Sequence, residues 1–204
     1  MLDHSCCGIL KRDGISRFLQ RPNYSLERLV NIFVTDPCPI KSAMVLPDKH
    51  IVKMPLETCQ MLSIVASEKW GHGYGKLPKV DGTPYATDKG AFRNHPCTVW
   101  AGSFVHNWRW LIRHGLALCE EYSNRYGKVH SCLHTLAYAN QIFPVPDPAG
   151  RSGKGPQPFV RAMPEEFKFD DSIDTFTAYK MYISSKPWVK DNYRRIPSRK
   201  PDWI

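Results

Sequence analysis

The chain has 204 residues, 42% of them hydrophobic, which is enough for one domain with a sizeable core. Its formal net charge is +9, from 28 Lys and Arg against 19 Asp and Glu, which favours a polyanionic partner. No apolar run approaches the roughly 20 residues of a membrane span, and residues 1–10 lack the apolar core of a secretory signal, so we expect a soluble protein that contacts no membrane.

The seven cysteines stand at irregular spacings, and no C-x-x-C pair occurs. This usage disfavours both a disulfide framework and a zinc ribbon. Reduced thiols fit best, so we expect a cytoplasmic, intracellular protein.

Residues 1–29 carry several Lys and Arg and few strong apolar clusters, which predicts a basic N-terminal extension. A short apolar stretch at 30–34 follows and predicts either a strand or an extended segment. Pro37 and Pro39 interrupt the chain after it. We therefore divide the chain into an extension, 1–29, and a single compact, mainly α-helical domain, 30–204.

The first helical pattern begins at Asp48, where apolar residues recur every three or four positions as far as Val65. Pro55 lies inside this pattern and predicts a kink or the first turn of a new helix. Residues 70–92 are rich in Gly, Lys and Pro and predict a long loop.

The clearest helical pattern covers residues 96–126, with Gly127 as its C-terminal stop. A shorter helix is predicted over 130–139. Residues 143–161 hold five prolines and three glycines and predict a second long loop.

The last predicted helix begins at Asp171 or Ser172, either of which can cap it, and ends near Ser184. The tail after it, 186–204, interleaves aromatic and basic residues. Aromatic faces stack on bases and cations bind phosphates, a combination typical of nucleic-acid surfaces. The alternative is that Trp188, Tyr193 and Trp203 only anchor the tail to the core.

Two polar clusters could carry chemistry. His50, Lys53 and Glu57 stand at i, i+3 and i+7, so they share one helix face beside an apolar face; the simpler interpretation is a solvated edge with a Lys53–Glu57 pair. The second cluster is Arg93-Asn94-His95 directly before Pro96, which is a common helix-start device and also fits a contact to phosphate or to a displaced base.

Several common site types are absent from the sequence. No P-loop, dinucleotide-binding or nucleophile-elbow motif occurs. His130 and His134 stand at i, i+4 with Cys132 between them, but no third ligand has diagnostic spacing, so a structural role is favoured over zinc binding. We predict no metal and no organic cofactor.

Taken in order, these stretches resemble the pyrimidine-dimer DNA glycosylases of the endonuclease V type from phages and their bacterial relatives. The resemblance covers about residues 30–130 and the tail. The matching residues on the first long helix are His50, Lys53, Glu57, Gln60 and Leu62. The later matches are Asn94-His95-Pro96 with Trp100, and Leu118-Cys119-Glu120-Glu121-Tyr122 leading to Arg125-Tyr126-Gly127.

The resemblance implies a specific chemistry. In that family a primary amine attacks C1′ of the damaged nucleotide and forms an imine, the base leaves, and β-elimination cuts the strand. Glu57 matches the carboxylate that stabilises the sugar cation. Asn31 matches the first residue of the mature chain, whose α-amine is the nucleophile. His50 would assist the reaction or contact phosphate. The damaged base must leave the stack for this chemistry.

This sequence departs from the family pattern at two points. Thirty residues precede Asn31 in this sequence, so its nitrogen is not a free amine in the full chain. Three alternatives follow: the extension is removed, Lys53 or Lys49 supplies the amine, or the lyase step is absent. Two DNA-binding arginines of the family's first helix match Leu56 and Gln60 here, so the positive charge must lie elsewhere.

We therefore expect a monomeric DNA glycosylase, with possible lyase activity, that acts on damaged pyrimidines in double-stranded DNA. The candidate catalytic residues are Glu57, His50 and Asn31. The candidate DNA-binding residues are Lys49, Lys53, Arg93, Asn94, His95, Trp188, Tyr193, Arg194, Arg195 and Trp203. The alternatives are a non-catalytic nucleic-acid-binding protein, an enzyme acting on free nucleotides and, more distantly, a metal-dependent nuclease.

Overall fold

The computed structural model describes residues 30–67, 73, 75–86, 92–143 and 155–204, so the predicted extension at 1–29 lies outside the described residues. The described residues form helices and contain no β-strand, which confirms the mainly α-helical prediction. None of these helices combines the length and apolarity that crossing a bilayer requires. In chain order they are α1 (Pro39–Met44), α2 (Asp48–Ala66), α3 (Pro96–Ser103), α4 (Val105–Tyr126), α5 (Cys132–Ile142), α6 (Glu165–Lys168) and α7 (Thr175–Ser184), followed by a 3-10 turn, Pro197–Arg199.

Helices α2 and α4 form the centre of the molecule. Helix α1 packs along α4, while α3 and α5 each contact both α2 and α4. The apolar faces that the periodicity predicted lie in the core, where Ile51, Leu62, Leu111 and Leu118 have no exposed surface. At Gly115 a Cβ atom would lie 2.8 Å from Thr58 Cγ2, so α2 and α4 approach each other as closely as only glycine permits.

The single helix predicted over 96–126 is wrong, because the chain breaks at Phe104 into α3 and α4. Phe104 is extended (φ −154°, ψ 144°), and the orphaned carbonyl of Trp100 accepts hydrogen bonds from Asn107 Nδ2 at 2.7 Å and Ser103 Oγ at 2.8 Å. Local side chains thus satisfy the groups that the break exposes. Gly127 does end α4 in the left-handed conformation (φ 63°), as predicted.

Other predicted boundaries shift by a few residues. The stretch at 30–34 pairs in no strand and is not continuously extended, because the chain turns at Phe33 (φ +42°), and α2 runs through Pro55 as one helix of 19 residues. Helices α1 and α6 were not predicted. The last helix begins after Asp174 instead of Asp171 or Ser172, because Asp174 Oδ1 accepts from Phe176 N at 2.8 Å and Thr177 N at 3.0 Å. The predicted loops at 70–92 and 143–161 lie partly outside the described residues.

A buried ionic network joins the start of α2, the end of α4 and the tail. The Arg125 side chain has no exposed surface and donates to Asp48 Oδ1 at 3.1 Å, to Glu121 Oε2 at 3.2 Å and to the carbonyls of Leu46 and Met44. The other Asp48 oxygen accepts from the backbone N–H groups of residues 194 and 195, at 2.9 and 3.2 Å. Arg199 closes the network on Glu121 Oε1 at 2.9 Å.

We expect Arg125→Met to lower the free energy of unfolding by about 3–5 kcal/mol, because the buried Asp48 carboxylate loses its counter-charge and Glu121 keeps only Arg199. Urea unfolding followed by circular dichroism measures the loss. Arg113→Met, at an exposed position of the same helix, is the control and should change stability by about 0.5 kcal/mol or less. Equal stability of the two variants would show that the network contributes nothing.

Candidate active site

A cleft of about 620 Å³ opens between α2, the start of α3 and the chain from 161 to 188. Its lining includes five basic side chains, and no Asp or Glu lines it in the part of the chain that the structure describes. The cleft is therefore strongly electropositive and suited to an anionic ligand. The basic residues are Lys49, Lys53, Arg161, Lys168 and Lys186.

Glu57 lies beneath this cleft and is 5% exposed. Its Oε2 accepts a 2.8 Å hydrogen bond from the backbone N–H of Asn31, and its Oε1 pairs with Lys53 Nζ at 2.9 Å. Burial raises the pKa of Glu57, while the bonds from Lys53 and Asn31 oppose that rise. The carboxylate is thus held against one nitrogen of the main chain and one amine.

A tight turn holds Asn31 in this position. Its Oδ1 accepts from the backbone N–H groups of Ile32 at 2.7 Å and Phe33 at 3.1 Å, and its Nδ2 donates to the carbonyl of Ala162 at 2.6 Å. Phe33 has φ +42°, an unfavourable conformation for a bulky residue that costs about 1–3 kcal/mol. The strained residue therefore belongs to the turn that positions the Asn31 nitrogen beside Glu57.

His50 is a buried, neutral member of the cleft wall. Its ring stacks on Phe33 with centroids 4.1 Å apart and meets the Trp188 ring edge-on at 5.6 Å. Burial lowers its pKa to about 3, helped by the charges of Lys186 and Lys53. Its Nδ1 is buried without a hydrogen-bond partner. A neutral imidazole cannot bind phosphate as a cation, so this predicted contact would have to be an uncharged hydrogen bond.

Three more predicted site residues line the same cleft: Lys49, His95 and Trp188. Lys49 Nζ lies 4.5 Å over the Trp188 ring. His95 caps α3, with its Nδ1 accepting from Cys97 N at 3.3 Å, and burial lowers its pKa. The preceding residues of that motif, Arg93 and Asn94, form the turn before α3 and do not line the cleft.

The rest of the predicted tail surface lies away from the cleft. Tyr193 is 4% exposed and its hydroxyl donates to Val45 O at 2.7 Å, which leaves no ring face for a base. Trp203 is half-buried beside a separate depression. Arg194 and Arg195 are exposed, and the Arg195 guanidinium lies 4.8 Å over the Tyr126 ring. Tyr193 and Trp203 therefore fit the alternative prediction, in which the tail aromatics anchor the tail to the core.

Sequence reasoning missed several lining residues: Phe33, Arg161, Met163, Lys168, Tyr182 and Lys186. Most lie more than 100 residues from Glu57 along the chain, and no local pattern marks them. The one usable signal was the proximity of Lys186 to Trp188 in the tail.

The candidate metal ligand His130 has both ring nitrogens bonded to the backbone. Its Nε2 lies 3.1 Å from the Val52 carbonyl oxygen, and its Nδ1 accepts from the Cys132 N–H at 3.1 Å.

A family model described as pyrimidine dimer DNA glycosylase matches residues 30–134, just over half of the chain. The matched range contains both partners of the Asn31–Glu57 hydrogen bond, and it ends before the cleft wall contributed by 161–188. Comparison with curated proteins and with solved structures yields no match.

We expect His50 to make stability depend on pH. The unfolded imidazole titrates near 6.5 and the folded one near 3, so its neutral form stabilises the fold above pH 6.5, and this contribution is lost as the pH falls towards 3. The slope is about 1.4 kcal/mol per pH unit between these values.

Urea unfolding at pH 6.5, 5.5 and 4.5 measures the slope, which His50→Phe should reduce by about that amount. His134→Phe, at an exposed position of α5, is the control and should keep the wild-type slope. A wild-type slope in His50→Phe would show that folding does not lower the pKa of His50.

Proposed function

Because the chain belongs to the pyrimidine dimer DNA glycosylase family, we propose that it excises dimerised pyrimidines from double-stranded DNA through an imine and then cleaves the strand. The observation that carries this proposal is the 2.8 Å hydrogen bond between the Asn31 nitrogen and the buried Glu57 carboxylate, at the floor of an electropositive cleft. No other main-chain nitrogen among the described residues donates to Glu57.

The reacting nitrogen, in this proposal, is the α-amine of Asn31 in a form of the protein that lacks residues 1–30. A peptide nitrogen is not a nucleophile, so the Val30–Asn31 bond must be absent before the reaction. An α-amine ordinarily titrates at about 7.7–8.0, so a substantial fraction is unprotonated near neutral pH. The position of the nitrogen beside Glu57 supports this choice.

The proposed reaction begins when the amine lone pair attacks C1′ and the C1′–N1 bond breaks, its electron pair leaving with the base, which takes up a proton. Loss of the amine proton and opening of the C1′–O4′ bond, with protonation of O4′, form the imine. Removal of a C2′ proton then expels the 3′ phosphate by β-elimination. Glu57 stabilises the positive charge on the sugar and exchanges protons with the amine.

Lys53 is the competing nucleophile, because its amine contacts the same carboxylate at 2.9 Å. Its side chain is 54% exposed and reaches the cleft from α2, so an imine on Lys53 would need no processing of the chain. We assign Lys53 the role of holding the charge of Glu57. His50, neutral and stacked on Phe33, acts as a positioning residue for the Asn31 turn.

The DNA partner follows from the charge of the cleft. We propose that a monomer binds the damaged duplex with Lys49 and the other cleft lysines on phosphates, and with Arg93, Asn94, Arg194 and Arg195 on the flanking backbone. Binding should weaken steeply with salt, because neutralised phosphates release counterions.

Borohydride trapping tests the chemistry on a duplex with one cyclobutane pyrimidine dimer and on an undamaged duplex. We expect a covalent adduct only on damaged DNA and only with protein that begins at Asn31. Mass spectrometry should place the adduct on the Asn31 α-amine. Glu57→Gln should slow trapping about 100-fold or more, since it removes charge from the developing cation, while binding stays within about twofold. Lys53→Ala is the matched control and should still form the adduct.

Three outcomes would contradict parts of this proposal. An adduct on Lys53 or Lys49 in the full chain would retain the glycosylase and overturn Asn31 as nucleophile. Cleavage of the glycosidic bond without an adduct would exclude the imine. No adduct, no glycosidic-bond cleavage and equal binding to both duplexes would leave a non-catalytic nucleic-acid-binding protein.

A further inference from the structure

The Tyr179 side chain of α7 has no exposed surface, and its hydroxyl lies between two backbone groups of residues 160–162, which we call the wall segment. The hydroxyl donates to the Val160 carbonyl at 2.9 Å and accepts from the Ala162 N–H at 3.2 Å. Burial raises the pKa of Tyr179 well above its ordinary value, so the hydroxyl keeps its proton and can donate. One buried side chain therefore fixes the backbone of the wall segment.

The wall segment carries the partner of the Asn31 side chain. The Ala162 carbonyl accepts from Asn31 Nδ2 at 2.6 Å, while Asn31 Oδ1 accepts from the next two backbone N–H groups of its own turn. The side chain is thus held at both ends, and the Asn31 backbone nitrogen lies 2.8 Å from Glu57 Oε2. Because this nitrogen and the side chain share one Cα atom, fixing the side chain limits where the nitrogen can lie.

A second contact joins the wall segment to the start of α7. The Arg161 guanidinium donates to the carbonyls of Asp170 and Ile173 and to the Thr175 hydroxyl. A planar guanidinium with several donors fixes both the distance and the orientation of the groups that it joins. The wall segment is therefore held against α7 by two side chains, one from each partner.

We propose that Tyr179 is a positioning residue for the reacting nitrogen, acting through the Ala162 carbonyl and the Asn31 side chain. The proposal rests on the proposed function, since it concerns the amine that attacks C1′. In the chain that begins at Asn31, this nitrogen has lost its bond to residue 30 and can rotate about the N–Cα bond. Its contacts to Glu57 and the clamped side chain then hold it, and a nucleophile held in position reacts faster than a free one.

The positioning contacts come from outside the part of the chain that the family model matches. Asn31 and Glu57 lie within residues 30–134, whereas the wall segment and Tyr179 lie beyond that range. The matched range thus supplies the nitrogen and the carboxylate. The C-terminal part of the chain supplies the side chain that holds the nitrogen in place.

The first experiment uses the full chain and depends on no reaction. Hydrogen exchange of the residue 31 N–H, measured by NMR, reports how firmly that nitrogen is held beside Glu57. Tyr179→Phe removes the hydroxyl and keeps the ring, which meets the Phe33 ring edge-on. We expect this N–H to exchange about tenfold faster or more, relative to the core amides of α4, because two buried backbone groups lose their partner.

Tyr193→Phe is the matched control. It also removes a buried hydroxyl that donates to a backbone carbonyl, that of Val45 at 2.7 Å, but in the tail and away from the cleft. Exchange at residue 31 should keep its wild-type rate relative to the α4 amides. A general loss of stability would speed exchange in α4 as well, so the ratio separates positioning from destabilisation.

A double variant tests the route through the Asn31 side chain. Asn31→Ser keeps a short acceptor for the turn but cannot reach the Ala162 carbonyl. Adding Tyr179→Phe to Asn31→Ser should therefore change the exchange at residue 31 no further, because both changes break the same series of contacts.

The second experiment measures the rate of borohydride trapping in a single turnover, with protein that begins at Asn31 and the dimer-containing duplex. Circular dichroism and thermal unfolding establish that each protein folds. Tyr179→Phe should slow trapping about tenfold or more, since the amine lies in position less often, while affinity for the duplex stays unchanged. Tyr193→Phe should trap at the wild-type rate.

The proposal is overturned if Tyr179→Phe keeps the wild-type exchange ratio at residue 31, or if it traps as fast as the wild type. A full effect of Tyr179→Phe in the Asn31→Ser background also overturns it, because the hydroxyl would then act through another contact, such as the Cys97 thiol. If Tyr179→Phe does not fold, Arg161→Lys loosens the same wall segment and decides by the same exchange measurement. Faster exchange in Tyr179→Phe without any wild-type adduct would overturn the proposed chemistry and retain the contacts that hold the residue 31 nitrogen.

Discussion

The buried guanidinium of Arg125 is the contact on which the arrangement of this molecule depends. A charge without exposed surface is tolerated only when its donors are satisfied, and Asp48, Glu121 and the carbonyls of residues 44 and 46 satisfy them. Asp48 is also the first residue of α2, and it accepts the amides of the tail. One network therefore sets where α2 begins and holds the tail against it, with Trp188 beside His50.

Helix α2 serves the core and the candidate site at once. Its apolar face packs against α4, and the adjoining face places His50 and Glu57 under the cleft. Both groups are buried at a cost, which shows in the lowered pKa of the imidazole and the raised pKa of the carboxyl. The strained turn at Phe33 lies at the same place. Unfavourable energies that coincide in one cleft are typical of functional sites, and the stability of the surrounding core offsets them.

The cleft is built from two separate parts of the chain. The hydrogen bond between Asn31 and Glu57 lies wholly within the range matched by the family. The opposite wall comes from α6, α7 and the segments around them, beyond residue 134. Tyr182 and Lys186 belong to that wall and lie outside the matched range.

The sequence by itself determined the helical class, the long amphipathic helix from Asp48 and the face shared by His50, Lys53 and Glu57, because these depend on local periodicity. The resemblance carried over Asn31, but only the tertiary structure decided that its nitrogen meets Glu57, across 26 residues. The tail shows the same limit: Trp188 reaches the cleft while Tyr193 and Trp203 anchor the chain, although all three occur in one aromatic and basic pattern. Tyr182 had no local signal and Lys186 had only its proximity to Trp188, since a cleft wall forms from residues that come together only when distant segments pack.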